Sequence, residues 1–87
     1  MEFEWDERKA SANLHKHRID FHDAIQVFLD PNRLDDEDYS TNEDRYRTIG
    51  LMRGRVIFVV YAWREERIRI ISARKATKHE RQKYYAR

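Results

Sequence analysis

The sequence predicts an α+β fold: a small antiparallel sheet of about four to five strands with two N-terminal helices and one C-terminal helix. Three observations lead there. RVIFVVYAW (residues 55–63) and RIRIISAR (67–74) are strongly apolar runs joined only by Arg64-Glu65-Glu66, the pattern of paired strands. Residues 6–29 contain two successive helix starts before Asp30-Pro31. Thr77 and Glu80 make a capping-box pair at the head of a basic terminal segment.

Taken in order, Phe3 and Trp5 alternate with Glu2 and Glu4, the mark of a short half-exposed strand. Asp6 is an N-cap with Glu7 in the first turn after it, and Ala10, Asn13, Leu14 and His17 fall on one helical face. The basic stretch His15-Lys16-His17-Arg18 suits the end of that helix. Ile19 and Ala24 then flank the cap Asp20 at the spacing of a hydrophobic staple, and Phe21, Ala24, Ile25 and Phe28 give a second apolar face up to Asp30-Pro31. Residues 30–44, DPNRLDDEDYSTNED, are acidic. They read as a solvated loop around a weak edge strand near Leu34, or alternatively as acids that guard the basic end or meet a basic partner. RYRTIGLMR (45–53) alternates as a strand and Arg53-Gly54 turns the chain into 55–63, which is apolar on both faces and therefore central.

Eighty-seven residues are expected to form one domain, 1–87, with one core. The absence of cysteine excludes disulfides, thiolate metal sites and cysteine nucleophiles. No apolar run approaches the roughly 20 residues of a membrane span, and the acidic start MEFEWDERK is unlike a signal peptide. The expectation is a cytoplasmic protein with no membrane partner. From Arg64 onward nine Lys/Arg face three Glu, a local charge of +6, whereas the whole chain is +2 and residues 1–63 therefore carry −4. A cationic end on an acidic body points to a polyanion as ligand.

The pattern holds no nucleophile elbow, P-loop, HExxH or glycine-rich cradle, so neither a metal nor a cofactor is expected. What remains is cationic and aromatic. Arg45, Arg47, Arg67, Arg69 and Arg74 fall on predicted strands, followed by Lys75, Lys78, His79, Arg81 and Lys83, with Tyr61, Trp63, Tyr84 and Tyr85 interleaved. Guanidinium forks grip phosphates and aromatic faces stack on unpaired bases, which suits single-stranded RNA. The plain alternative is that strand arginines only keep an outer sheet face soluble. Arg74 stands out, because it ends an apolar strand directly before a helix, where a guanidinium can stabilise charge on a phosphate. Arg45 either faces the same cleft or pairs with Glu43. His17 is either a helix-end histidine bonded to backbone, or a general acid/base or phosphate contact.

Phe3-x-Trp5-Asp6-x-x-Lys9-x-x-x-Asn13-x-x-Lys16-His17-x-Ile19-x-Phe21-x-x-Ala24-x-x-Val27-Phe28 resembles the opening of the BrnT family of bacterial toxins. Glu43-x-Arg45, the Gly50 strand and Ile71-Ser72-Ala73-Arg74-x-Ala76-x-x-x-Glu80-Arg81-x-x-Tyr84 are similar to its second half. The resemblance implies a RelE-like fold, a ribonuclease that halts translation, and a cognate BrnA-like antitoxin. That antitoxin neutralises the toxin, and the pair represses its own operon, so DNA is met only through the complex. Arg18 departs from the pattern where a glycine is expected before the isoleucine, so it must take a positive φ or alter the turn. Combined with the cationic set, the resemblance implies metal-independent RNA cleavage with Arg45 and Arg74 on the phosphate and Lys9, Lys16 or His17 moving protons. Arg47, Arg67, Arg69, Lys75, Lys78 and Tyr84 are the expected RNA contacts; Tyr84 either holds a base or simply packs. The alternative function is a nucleic-acid-binding regulator without catalysis.

Overall fold

The structure is a computed structural model that describes residues 1–38 and 44–86. The elements run β1 (Glu2–Glu4), α1 (Glu7–His17), α2 (Phe21–Ala24) continuing into a 3₁₀ segment (Ile25–Leu29), β2 (Leu34–Asp38), β3 (Arg45–Met52), β4 (Arg55–Arg64), β5 (Arg67–Lys75) and α3 (Lys78–Tyr85). Five strands form one sheet in the order β1-β5-β4-β3-β2. β4 is central, as its apolar character on both faces requires, and the acidic β2 is an edge. Glu43 lies outside the described residues, and with it the expected Glu43–Arg45 pair.

The sheet is mixed, a correction to the antiparallel expectation. β2, β3, β4 and β5 pair antiparallel, but β1 pairs parallel to β5. Hairpins fix the direction of neighbours in sequence, whereas β1 and β5 are joined only through the rest of the chain. Their register sets Glu2 beside Arg67 and Glu4 beside Arg69, so opposite charges adjoin along the pair. The Arg53-Gly54 turn has both residues at positive φ (51° and 79°), the hairpin geometry whose twist suits the flanking strands.

The second helix also differs from expectation. Only residues 21–24 are α-helical before the chain tightens into 3₁₀ turns. Spacing by three then aligns Phe21, Ala24 and Val27, all fully buried, in place of Ile25. The tight segment presses onto β3 at Gly50, where a Cβ would stand 2.7 Å from Val27 Cγ1. Only glycine permits that approach.

α1 starts as the sequence indicates, with the Asp6 carboxylate accepting from the backbone N–H of Arg8 (2.8 Å) and Lys9 (3.2 Å). Its buried contact is polar. Asn13 donates to the carbonyls of Ile19 (3.1 Å) and Ala73 (2.9 Å) and accepts from the Ala73 N–H (3.1 Å). β1 pairs with β5 only over residues 67–69, so Asn13 serves as the neighbour that β5 lacks further along. Leu14, expected on the packed face, is exposed. Arg18 ends α1 in the left-handed region at φ 60°, ψ 29°, its N–H bonded to the Leu14 carbonyl. The departure at this position is therefore accommodated by positive φ.

α1, α2 and the 3₁₀ segment cover one sheet face, where Ile19, Phe21, Ala24, Val27 and Phe28 meet Met52, Ile57, Val59, Tyr61, Ile68, Ile70 and Ala73. α3 covers part of the other, over a smaller cluster of Ile49, Val56, Ala76 and Tyr84. It begins with the full capping box: Thr77 Oγ1 accepts from the Glu80 N–H, and Glu80 accepts from the Thr77 N–H. Tyr84 ties it down by donating its hydroxyl to the buried Asp30 carboxylate, which also accepts from the Leu51 N–H at 3.0 Å. No described helix is long and apolar enough to cross a membrane.

Two predictions follow from α1. Asn13→Ala leaves three buried backbone groups without partners and lowers stability by roughly 2–4 kcal/mol, measurable by denaturant unfolding. An unchanged midpoint would show that Asn13 is dispensable at the β5 edge. Arg18→Gly removes the left-handed penalty at the helix end and stabilises by about 0.5–1 kcal/mol, raising Tm by about 2–8 °C. A lower Tm would contradict strain at this turn.

Candidate nucleic-acid interface

Strand alternation divides the cations from the core. On β3, Thr48 and Met52 point to the face of α1 and α2, whereas Arg45, Arg47, Ile49 and Leu51 point to the face of α3. On β4 the α3 face carries Val56, Phe58, Val60, Ala62 and Arg64. α3 reaches only the Val56–Phe58 end. Val60 and Ala62 are left half-exposed, flanked by arginines from the neighbouring strands.

At this end of the sheet Lys9, Asp44, Arg45, Ala62, Trp63, Arg64, Arg69 and Ile71 line a hollow of about 420 Å³. Four elements contribute its cations. Lys9 comes from the first turn of α1, Arg45 begins β3, Arg64 ends β4 and Arg69 lies on β5. Trp63, between Ala62 and Arg64 on β4, also lines the hollow and is 48% exposed. Arg69 is held by Glu4 at 2.7 Å, and that hydrogen bond holds the Glu4 carboxyl below its ordinary range. Among the described residues Lys9 makes no ion pair. Such a set can neutralise a phosphate from several directions while the indole takes a base.

The other sequence-predicted residues are distributed more widely. His17 and Lys16 stand in the last turn of α1, seven to eight residues and therefore about 11–12 Å along the helix from Lys9. The structure brings Lys9 and Arg45 together and leaves that pair at the far end of the helix. Arg74 lies at the α3 end of the face. Its guanidinium forks onto Glu80 at 2.9 and 3.0 Å, donates to the Lys75 carbonyl and stands 4.1 Å over the Phe58 ring. Arg74 is the main reason the Glu80 carboxyl is held below its ordinary value. Arg47 pairs with Asp36 at 3.1 Å and lowers that carboxyl in the same way. It shares a smaller hollow of about 170 Å³ with His79 and Lys83 over Leu34, Ile49 and Phe58. Arg67 lies within 3.9 Å of Glu2 and 3.7 Å of Glu4. Lys75 and Lys78 are exposed around the start of α3. Tyr84 is a correction: it is buried and bonded to Asp30, so its ring is not presented to a base.

Arg64 was readable from the sequence and is absent from the expected set. A two-residue turn at Glu65-Glu66 leaves Arg64 opposite Arg67, and a period of two from Ala62 places it on the cationic face. The partner of Tyr84 had no local signal, since Asp30 lies 54 positions away. Among the described residues no group of three or more His, Asp or Glu side chains is arranged to hold a metal ion.

A family model described as "Ribonuclease toxin, BrnT, of type II toxin-antitoxin system" matches residues 5–80. No curated protein matches the chain. The matched span takes in Lys9, Asn13, Arg45, Gly50, Arg64, Arg69, Arg74 and Glu80, the residues that build the hollow and the contacts that position it. By that match the chain belongs to the BrnT family, the ribonuclease toxins of type II toxin–antitoxin systems.

Proposed function

We propose that the protein is a metal-independent endoribonuclease that halts translation, and that RNA is cut at the hollow lined by Lys9, Arg45, Arg64 and Arg69. The observation that carries this reading is the convergence of those side chains from four separate elements beside the exposed Trp63. The half-exposed Val60 and Ala62 give the strand of bases an apolar floor. A RelE-like arrangement, with an open sheet face flanked by helices, accords with this layout.

In the proposed reaction the ribose 2′-oxygen attacks the adjacent phosphorus as its proton passes to solvent water, and the bond from phosphorus to the 5′-oxygen breaks as that oxygen gains a proton. The products are a 2′,3′-cyclic phosphate and a 5′-hydroxyl. Arg45 and Arg69 hold the non-bridging oxygens, with Glu4 fixing the orientation of Arg69. The Lys9 ammonium stands in the same hollow and is suited to protonate the departing 5′-oxygen. Arg74 acts through position: its fork to Glu80 holds the start of α3 against the end of β5. Arg47 guides the strand onward along the face. His17 and Lys16, at the opposite end of α1, contact flanking RNA. A BrnA-like antitoxin neutralises the toxin by covering the cationic hollow, and the complex binds operator DNA through the antitoxin.

Lys9→Ala and Arg45→Ala each lower RNA cleavage by about 10²–10³-fold with unchanged unfolding midpoints, whereas His17→Ala retains most activity. Cleavage persists in chelator, and the products carry cyclic phosphates detectable by mass spectrometry. Full activity in both the Lys9 and Arg45 variants would remove the hollow from the reaction. Loss of activity in chelator would overturn metal independence. RNA retained intact by the native protein would favour the non-catalytic regulator.

A further inference from the structure

A second cationic hollow, of about 440 Å³, lies on the other side of α3 and is lined by Gly54, Arg55, Val56, Lys75, Arg81 and Tyr85. Its lining holds three cations and no carboxylate. Elsewhere Arg47, Arg53, Arg67, Arg69 and Arg74 each meet an Asp or Glu within 4 Å. Among the described residues neither Arg55 nor Lys75 makes an ion pair, and Arg81 spends one N–H on the Ala76 carbonyl at 3.0 Å. Tyr85 is 63% exposed and stands edge-on to the anchored Tyr84 ring, which braces an aromatic surface beside the cations.

We infer that this hollow is a second RNA-binding subsite, taking backbone phosphates on Arg55, Lys75 and Arg81 and a base on Tyr85. An uncompensated cluster of positive charge around a braced ring is the combination that holds single strands without sequence preference. Its place in the fold sets the length of RNA it serves. Arg55 opens β4 and Arg64 closes it, so ten residues of extended chain separate the two hollows by about 30 Å. One RNA strand that fills both must pass α3, along the side where Lys83 and His79 stand. The subsite adds affinity for long substrates and leaves the chemistry at the first hollow unchanged. The inference rests on the ribonuclease reading, but its test does not depend on cleavage.

Labelled 2′-O-methyl RNAs, which lack the attacking hydroxyl, are titrated by fluorescence anisotropy at lengths of about 4 and about 16 nucleotides, the range of single-strand site sizes. The longer strand binds at least about tenfold tighter, and Arg55→Ala/Lys75→Ala removes most of that advantage while sparing the shorter one. Between about 50 and 200 mM salt the slope of log K against log salt falls by about 1.4 in this variant, two phosphate contacts at about 0.7 each. Arg55→Lys/Lys75→Arg keeps the native slope, and Tyr85→Ala weakens only the longer strand, by about fivefold or more. Equal affinity for both lengths, or a native slope in the Arg55→Ala/Lys75→Ala variant, overturns the subsite. Loss of antitoxin co-purification in that variant with RNA affinity intact would assign the hollow to an acidic protein surface instead. Failure of the native protein to cut ordinary RNA would count against the ribonuclease reading and leave these binding results interpretable.

Discussion

The Asn13 side chain stands in for a missing strand. β5 pairs with β1 for three residues and then continues with an open edge, and a carboxamide is one of the few side chains that both donates and accepts as a peptide group does. By bonding the N–H and C=O of Ala73, Asn13 fixes where α1 lies along β5. By bonding the Ile19 carbonyl, it also fixes how the chain leaves α1 for α2. The placement of Lys9, one helical turn before Asn13, follows from it. A shift of α1 by one turn along β5 would carry Lys9 about 5 Å, out of the hollow it shares with Arg45 and Arg69.

The same side chain shows what the sequence reveals and what it withholds. The strands from Arg45 to Lys75 were legible because their alternation and turns are local, and so were the caps at Asp6, Asp20 and Thr77. Asn13 was legible as a position on the inner face of α1, but not as a partner of Ala73, 60 residues away. The direction of β1 was hidden for the same reason, since no turn joins it to β5. The 3₁₀ segment had a signal that was missed: Phe21, Ala24 and Val27 recur at three, not at 3.6, and Gly50 removes the Cβ that would hold them off β3.

The candidate site was legible as a composition and less so as a geometry. A count of arginines on strands overstates the surface offered to a ligand, because the fold uses several of them against acids. Glu2 and Glu4 engage Arg67 and Arg69, Asp36 engages Arg47, and Glu80 engages Arg74. Two acids of the segment after the 3₁₀ turn accordingly have structural partners: Asp30 receives Leu51 and Tyr84, and Asp35 meets Arg33 at 3.2 Å. Tyr84 illustrates the cost of reading aromatics by sequence alone, since burial against Asp30 makes it an anchor, while its neighbour Tyr85 faces solvent.

α3 lets a small sheet carry such dense positive charge. Its apolar contribution is slight, with Tyr84 as its one buried residue, and propensity alone would not hold eight residues helical. It is held by directed bonds: the Thr77–Glu80 box at its start, the Arg74 fork onto the same Glu80, and the Tyr84 hydroxyl on Asp30. Glu80 thus does two things at once, capping the helix and neutralising the arginine at the end of β5. Because α3 covers only the Val56–Phe58 end of its face, the cationic surface is divided into hollows on either side of it. The residues that pin the helix are therefore distinct from those left facing solvent, and the pairing of Arg74, more than its charge, determines where the open cations lie.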